Sequence, residues 1–172
     1  MRTPALCLAL AVLTLPALAE TPLAIDLQTN LPYLETAEVA GGSLWTEPAN
    51  LDGFEGHQLV FNGQPVSGMA DAYVHIQGVV PRPEFDGEDL VFVTLAGGGN
   101  ACPTLWAIVV TSAAGAKASP PFGTCSEAIL NPRLTMDALV AFDMSPVGEG
   151  QPWMTYTADG ADIWESELPG AP

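Results

Sequence analysis

Basic residues are nearly absent from this 172-residue chain: four Lys and Arg stand against 20 Asp and Glu, a formal charge of −16. A chain so acidic repels phosphates, which excludes nucleic acid and an anionic membrane face as natural partners. Histidine is scarce, with only two, and neither sits in an H-x-H or H-E-x-x-H spacing. Apolar runs are short as well. The longest lies at the N-terminus and falls below comfortable bilayer length. Charged residues make up 14% of the chain and apolar residues 48%. That is enough for a packed core and too apolar for a disordered acidic chain.

What is present begins with an export signal. Met1 and Arg2 form a minimal basic start, residues 6–15 an apolar stretch, and Ala17, Leu18 and Ala19 an A-x-A cleavage site before Glu20. Cys7 lies too early for a lipid anchor, having no apolar stretch before it. Residues 1–19 are therefore expected to be a signal peptide, and the mature protein periplasmic or secreted. Loss of Arg2 takes the charge to −17 and leaves Arg82, Lys117 and Arg133 as the basic groups. Of three cysteines, Cys102 and Cys125 remain, 23 positions apart. An even pair in an exported chain reads as a disulfide, worth roughly 3 kcal/mol by loop entropy. There is no C-x-x-C, and no neighbouring His or basic residue lowers a thiol pKa. The pair reads as a staple rather than a redox site.

Period-two patterning dominates beyond residue 57. Residues 57–61 run into Asn62 and Gly63, a strong two-residue hairpin signal, and residues 64–66 return briefly, with Pro65 marking an edge. Residues 72–80 alternate, Val74 and Ile76 against Tyr73, His75 and Gln77, before Pro81, Arg82 and Pro83 impose a loop. Residues 90–95, apolar except for Thr94, predict a buried strand; residues 105–111 predict the next strand. A loop at 113–116 would leave Cys102 and Cys125 two positions out of register, which a bulge could absorb. Strands are further expected over 134–142, 153–157 and 161–165, the last two joined by a turn at Asp159 and Gly160. Residues 20–56, interrupted by Pro and Gly, read as an extended arm with one or two short strands. Residues 57–165 read as the β domain and 166–172 as a loose tail.

No catalytic motif stands out. A metal set could be drawn from Asp71, Tyr73 and His75, and the sequence leaves open whether His57 meets them, but surface histidines are the simpler reading and no metal is expected. Ser43, Ser67, Ser112, Ser119 and Ser126 lack a G-x-S-x-G context. The acidic turn at residues 86–89 fails EF-hand spacing, and the glycines at 97–99 lack the Lys of a phosphate loop. The tryptophans carry more information. The turn at Asp159 and Gly160 pairs Thr155 with Trp164 and makes Trp153 its diagonal neighbour, leaving Tyr156, Ile163 and Met154 on the other face. The Tyr156 face is assigned to the core. Trp153, Thr155 and Trp164 then form the candidate binding surface, open or lightly covered by the N-terminal arm with Trp45.

The run Gly98, Gly99, Asn100, Ala101, Cys102, Pro103, followed by Pro121, Phe122, Gly123, Thr124, Cys125, Ser126, resembles a GGNxCP…PxFGTCS pattern of small exported bacterial proteins of unassigned function. The likeness is clearest over residues 88–127. It implies a disulfide-closed β-hairpin and carries no activity. The expected fold is an all-β antiparallel sandwich or barrel-like meander of short strands, with one disulfide and an N-terminal arm. The expected function is binding, of an envelope protein or as an enzyme inhibitor. A secreted glycan-binding module is the alternative and a hydrolase the more distant one. No cofactor is expected.

Overall fold

The computed structural model describes residues 20–29, 31–82, 85, 87–97, 102–149 and 151–168. The expected signal peptide, residues 98–101 of the glycine turn, Asp86 of the acidic turn and residues 169–172 of the tail lie outside them. Fourteen strands are described: β1 (Thr21–Pro22), β2 (Leu27–Gln28), β3 (Thr36–Val39), β4 (Gly42–Leu51), β5 (Phe54–Phe61), β6 (Gln64–Asp71), β7 (Tyr73–Arg82), β8 (Glu88–Ala96), β9 (Leu105–Ser112), β10 (Gly115–Ala118), β11 (Ala128–Leu134), β12 (Val140–Met144), β13 (Met154–Asp159) and β14 (Asp162–Glu167). They form three antiparallel sheets: β3-β4-β5-β6, β10-β9-β8-β7, and β1-β11-β12-β13-β14 with β2 also on β11. The protein is all-β.

The sheet β10-β9-β8-β7 is the middle layer, because its side chains divide between two cores. Val91, Val93, Leu95, Ala107 and Val109 meet Leu44, Leu59, Phe61 and Met69 of the first sheet. Leu90, Phe92, Trp106 and Ile108 meet Val140, Phe142, Met144 and Tyr156 of the third. This explains why the apolar run at 90–95 shows no alternation: strict alternation needs a wet face, and β8 has none. Strand β7 serves both cores by changing phase. A bulge between Ile76 and Gly78 sends Val74 and Ile76 into one core and Val80 into the other.

Turn chemistry sets most connections. Asn62 and Gly63 both have positive φ, 50° and 80°, the mark of a type I′ turn that pairs Phe61 with Gln64. Asp52 and Gly53, at 47° and 101°, make a second such turn that the sequence reading passed over. It builds the ten-residue β4 inside what was expected to be an arm with at most two short strands. Pro48 is tolerated there because β3 ends at Thr36, opposite Trp45, so β4 is an edge beyond that point. Strand β6 likewise outruns the short return expected at 64–66.

Other boundaries differ from expectation for local reasons. Residues 134–142 are not one strand: Thr135–Leu139 hydrogen bonds and a positive φ at Ala138 turn the chain. The strand β11 before that turn was missed because Asn131 and Pro132 interrupt its pattern. They mark a bulge between Leu130 and Arg133. Strand β7 continues through Pro81 instead of looping out, as an edge strand can. Its last residue, Arg82, is fully buried, with its guanidinium 3.6 Å from the centre of the Phe85 ring and 3.7 Å from Asp159. Ser166 and Glu167 of the expected tail belong to β14.

Cys102 and Cys125 are bonded, with Cα atoms 4.9 Å apart. The loop between β9 and β10 is two residues, since Ser112 pairs with Gly115, rather than the four expected. That shift of two positions brings the cysteines close to register, within one position of the Trp106–Phe122 bridge that follows the ladder. Between them and the turn, Trp106 is wholly buried and donates its indole N–H to the Ser126 carbonyl at 2.9 Å. The disulfide is compatible with an oxidising, exported location. No helix among the described residues is long and apolar enough to cross a membrane.

Candidate functional site

The β13–β14 hairpin turns at Gly160 and Ala161, because Asp159 pairs with Asp162. Gly160 takes a φ of 60° at the first turn position while Ala161 does not, the pattern of a type II′ turn. The register is therefore two residues from that expected. A shift of two keeps every residue on its face but changes its partner. Trp164 lies opposite Thr157, and Thr155 opposite Ser166. Trp153 and Trp164 are thus four positions apart along the ladder, about 13 Å, and not diagonal neighbours. They do not form one platform. Thr155 donates to Asp143 Oδ1 at 2.8 Å, and Asp143 also receives Asn131 and Arg133, so this polar patch is internally satisfied.

Tyr156 is 2% exposed and Trp164 is 53% exposed, while Ile163 is half-buried. The described N-terminal residues do not cover Trp164. Strands β1 and β2 pair with β11, at the opposite side of the sheet, and Trp45 belongs to the first sheet, beyond the middle layer. What adjoins Trp164 instead is a groove of about 450 Å³ walled by Pro120, Pro121, Phe122, Tyr156, Ile163 and Trp164, with Asp162 and Glu165 at its lip. Only aromatic, proline and aliphatic side chains and carboxylates stand out there.

The groove runs along an open sheet edge. Strand β14 is last in its sheet and, among the described residues, pairs only with β13. The Leu168 amide donates to the Trp153 carbonyl, which fixes the phase of the ladder. By alternation Asp162, Trp164 and Ser166 direct their backbone groups to β13. Ile163, Glu165 and Glu167 direct theirs outward. Tyr156 faces the same groove from below. Burial, and secondly the charge of its cross-strand neighbour Glu165, push its hydroxyl pKa up to about 12.

Both histidines lie elsewhere, at the end of the first two sheets. His57 and Asp71 pair across β5 and β6, and the chain turns at Ala72 into Tyr73 and His75 on β7. His57 Nδ1 lies 2.9 Å from the Ala72 carbonyl, an acceptor, so in the neutral ring the proton sits on Nδ1 and Nε2 is free. The Tyr33 ring stacks on His75 at 4.0 Å and 1°. Tyr73 lies between the histidines, 6.2 Å from His57 and 6.4 Å from His75. Burial first, and His57 second, lower the His75 pKa. Asp71 caps the Ala72 amide at 2.7 Å and is no ligand partner for them. Among the described residues no group of three His, Cys, Asp or Glu could hold a metal ion. Ser119 and Ser126, weighed as nucleophiles, instead hold buried backbone groups near Ile108 and Ala128.

No protein-family model, no curated protein and no solved structure matches this chain.

Proposed function

We propose that this is a binding domain that takes an extended, basic segment of a partner protein along β14. The observation that carries the reading is a free strand edge running beside an apolar, aromatic groove. An added strand would exchange backbone hydrogen bonds with Ile163, Glu165 and Glu167. Side chains on one of its faces would pack beside Ile163 and Pro121, and those on the other beside Trp164. Main-chain bonds supply affinity in this mode and the groove supplies selection. Charge decides the sign of the partner. The edge carries Asp162, Glu165 and Glu167, so a second copy of the same strand is repelled and a Lys- or Arg-bearing strand attracted. For an exported chain the partner would be an envelope or secreted protein.

The test uses two synthetic octapeptides, (Lys-Val)4 and (Glu-Val)4, titrated against the protein by calorimetry and amide exchange. The expected result is binding of the first alone, with new protection of the Ile163, Glu165 and Glu167 amides. Trp164→Ala should weaken it about tenfold, the scale of one interface anchor. The double variant E165K/E167K should reverse the preference. Equal binding of both peptides, or protection confined to other strands, would overturn the proposal.

A further inference from the structure

A second site lies at the other end of the molecule. The β4–β5 hairpin projects past the first core. On its inner face Leu44 pairs with Phe61 and Thr46 with Leu59. The next pairs are Pro48 with His57 and Asn50 with Glu55. The face thus changes from apolar to polar where the middle sheet no longer covers it. With Ala49, Gly56, Ala72 and Tyr73, the last two pairs line an open cleft of about 610 Å³. That volume suits a small ligand.

The chemistry of the walls narrows the ligand. Tyr73 and Tyr33 are 53% and 46% exposed, far more than a core ring. The His57 and Tyr73 rings lie within 20° of parallel, and Tyr33 and His75 within 1°, so flat faces are presented in sequence along the surface. Beside them stand His57 Nε2, which has no partner among the described residues, the Asn50 Nδ2 amide group, whose Oδ1 accepts from the Gly53 N–H at 3.3 Å, and the Glu55 carboxylate. Lys and Arg are absent from the lining, which argues against an anion. A ligand that offers an apolar face to a ring and hydroxyls to an amide, a carboxylate and an imidazole is a neutral sugar.

We infer that the cleft between the β4–β5 hairpin and Tyr73 is a saccharide-binding site, with Tyr73 as the stacking platform and Tyr33 as a second platform farther along the strip. The sugar hydroxyls bond Asn50, Glu55 and His57 Nε2. The site is separate from the β14 groove, and neither depends on the other.

The experiment is saturation-transfer NMR with four neutral oligosaccharides (cellotetraose, chitotetraose, maltotetraose and mannotetraose) and tetramethylammonium as a cationic probe. At least one oligosaccharide should receive saturation at its ring C–H protons. Tyr73→Ala should reduce its affinity at least tenfold and Tyr33→Ala by less. Trp164→Ala should leave it unchanged. Both Tyr side chains are half exposed, and the variants should melt within a few degrees of the parent, which separates lost binding from lost folding. Tetramethylammonium binding without any sugar would overturn the inference, as would a sugar signal that survives Tyr73→Ala or vanishes in Trp164→Ala. Silence from all four sugars at millimolar concentration would overturn it too.

Discussion

Arg82 and Tyr156 show how single buried groups set the pH and charge tolerance of this chain. The Arg82 guanidinium is fully buried, none of its nitrogens has a hydrogen-bond partner among the described residues, and its ion pair with Asp159 is long at 3.7 Å. Desolvating a charge for so little return is costly. Arg82→Met keeps the apolar stem and removes the charge. It should leave stability within about 1 kcal/mol or raise it. Asp159→Asn strands the cation and should lower stability by more than Arg82→Met, as measured by urea unfolding. Tyr156 tests the opposite end of the pH scale. Its pKa is raised to about 12, from 10 in the unfolded chain. The folded state therefore holds a proton that the unfolded chain releases first. The stabilisation is complete below pH 10 and is lost as pH climbs towards about 12. Alkaline unfolding followed by near-ultraviolet absorbance should begin in that window, and Tyr156→Phe should lack this component.

Among the elements, hairpins were the most legible part of the sequence. Asn62 and Gly63 specified their turn and its register outright, and the apolar runs specified β8 and β9. The β13–β14 hairpin was found with the right faces and the wrong partners. Gly160 can serve either central turn position, and only the backbone angle distinguishes type II′ from type I′. The consequence fell on the candidate site: a two-indole platform became one exposed Trp164 beside a groove. That groove was not legible, because Pro120, Pro121 and Phe122 reach it from another part of the chain. The Tyr and His strip was half legible. His57 and His75 were weighed, but Tyr33 joins them only through the Leu34–Ile76 bridge, a contact without local sequence signal. The Asp52 and Gly53 turn could have been read by the rule that found Asn62 and Gly63. The disulfide ties the chain just before β9 to the chain after β10, closing the open end of that hairpin, and Cys125→Ser should lower unfolding free energy by about 2–5 kcal/mol, the usual range for loss of a native disulfide from a small domain. Chemical denaturation with and without reductant would measure it. An unchanged midpoint would show that the bond constrains nothing the rest of the fold does not.

On the scale of the whole molecule, charge and layering act together. With −16 on 172 residues, self-repulsion opposes the compact state. Monovalent salt should raise the melting temperature, steeply at low concentration and little once the screening length drops to a few ångströms. A melting temperature independent of salt would mean that the carboxylates are already far enough apart to ignore one another. The middle sheet has a different consequence. Strands β8 and β9 touch both cores, and residues 90–95 and 106–109 are buried whichever face they point to. Neither outer sheet can peel away without uncovering apolar side chains of that shared wall, so partial opening gains little entropy for a large exposed area. The amides of Phe92, Val93 and Ile108 should then exchange with deuterium only when the entire chain comes apart. Their common, slow exchange would report the free energy of global unfolding, one reading that covers the β14 groove and the β4–β5 cleft alike.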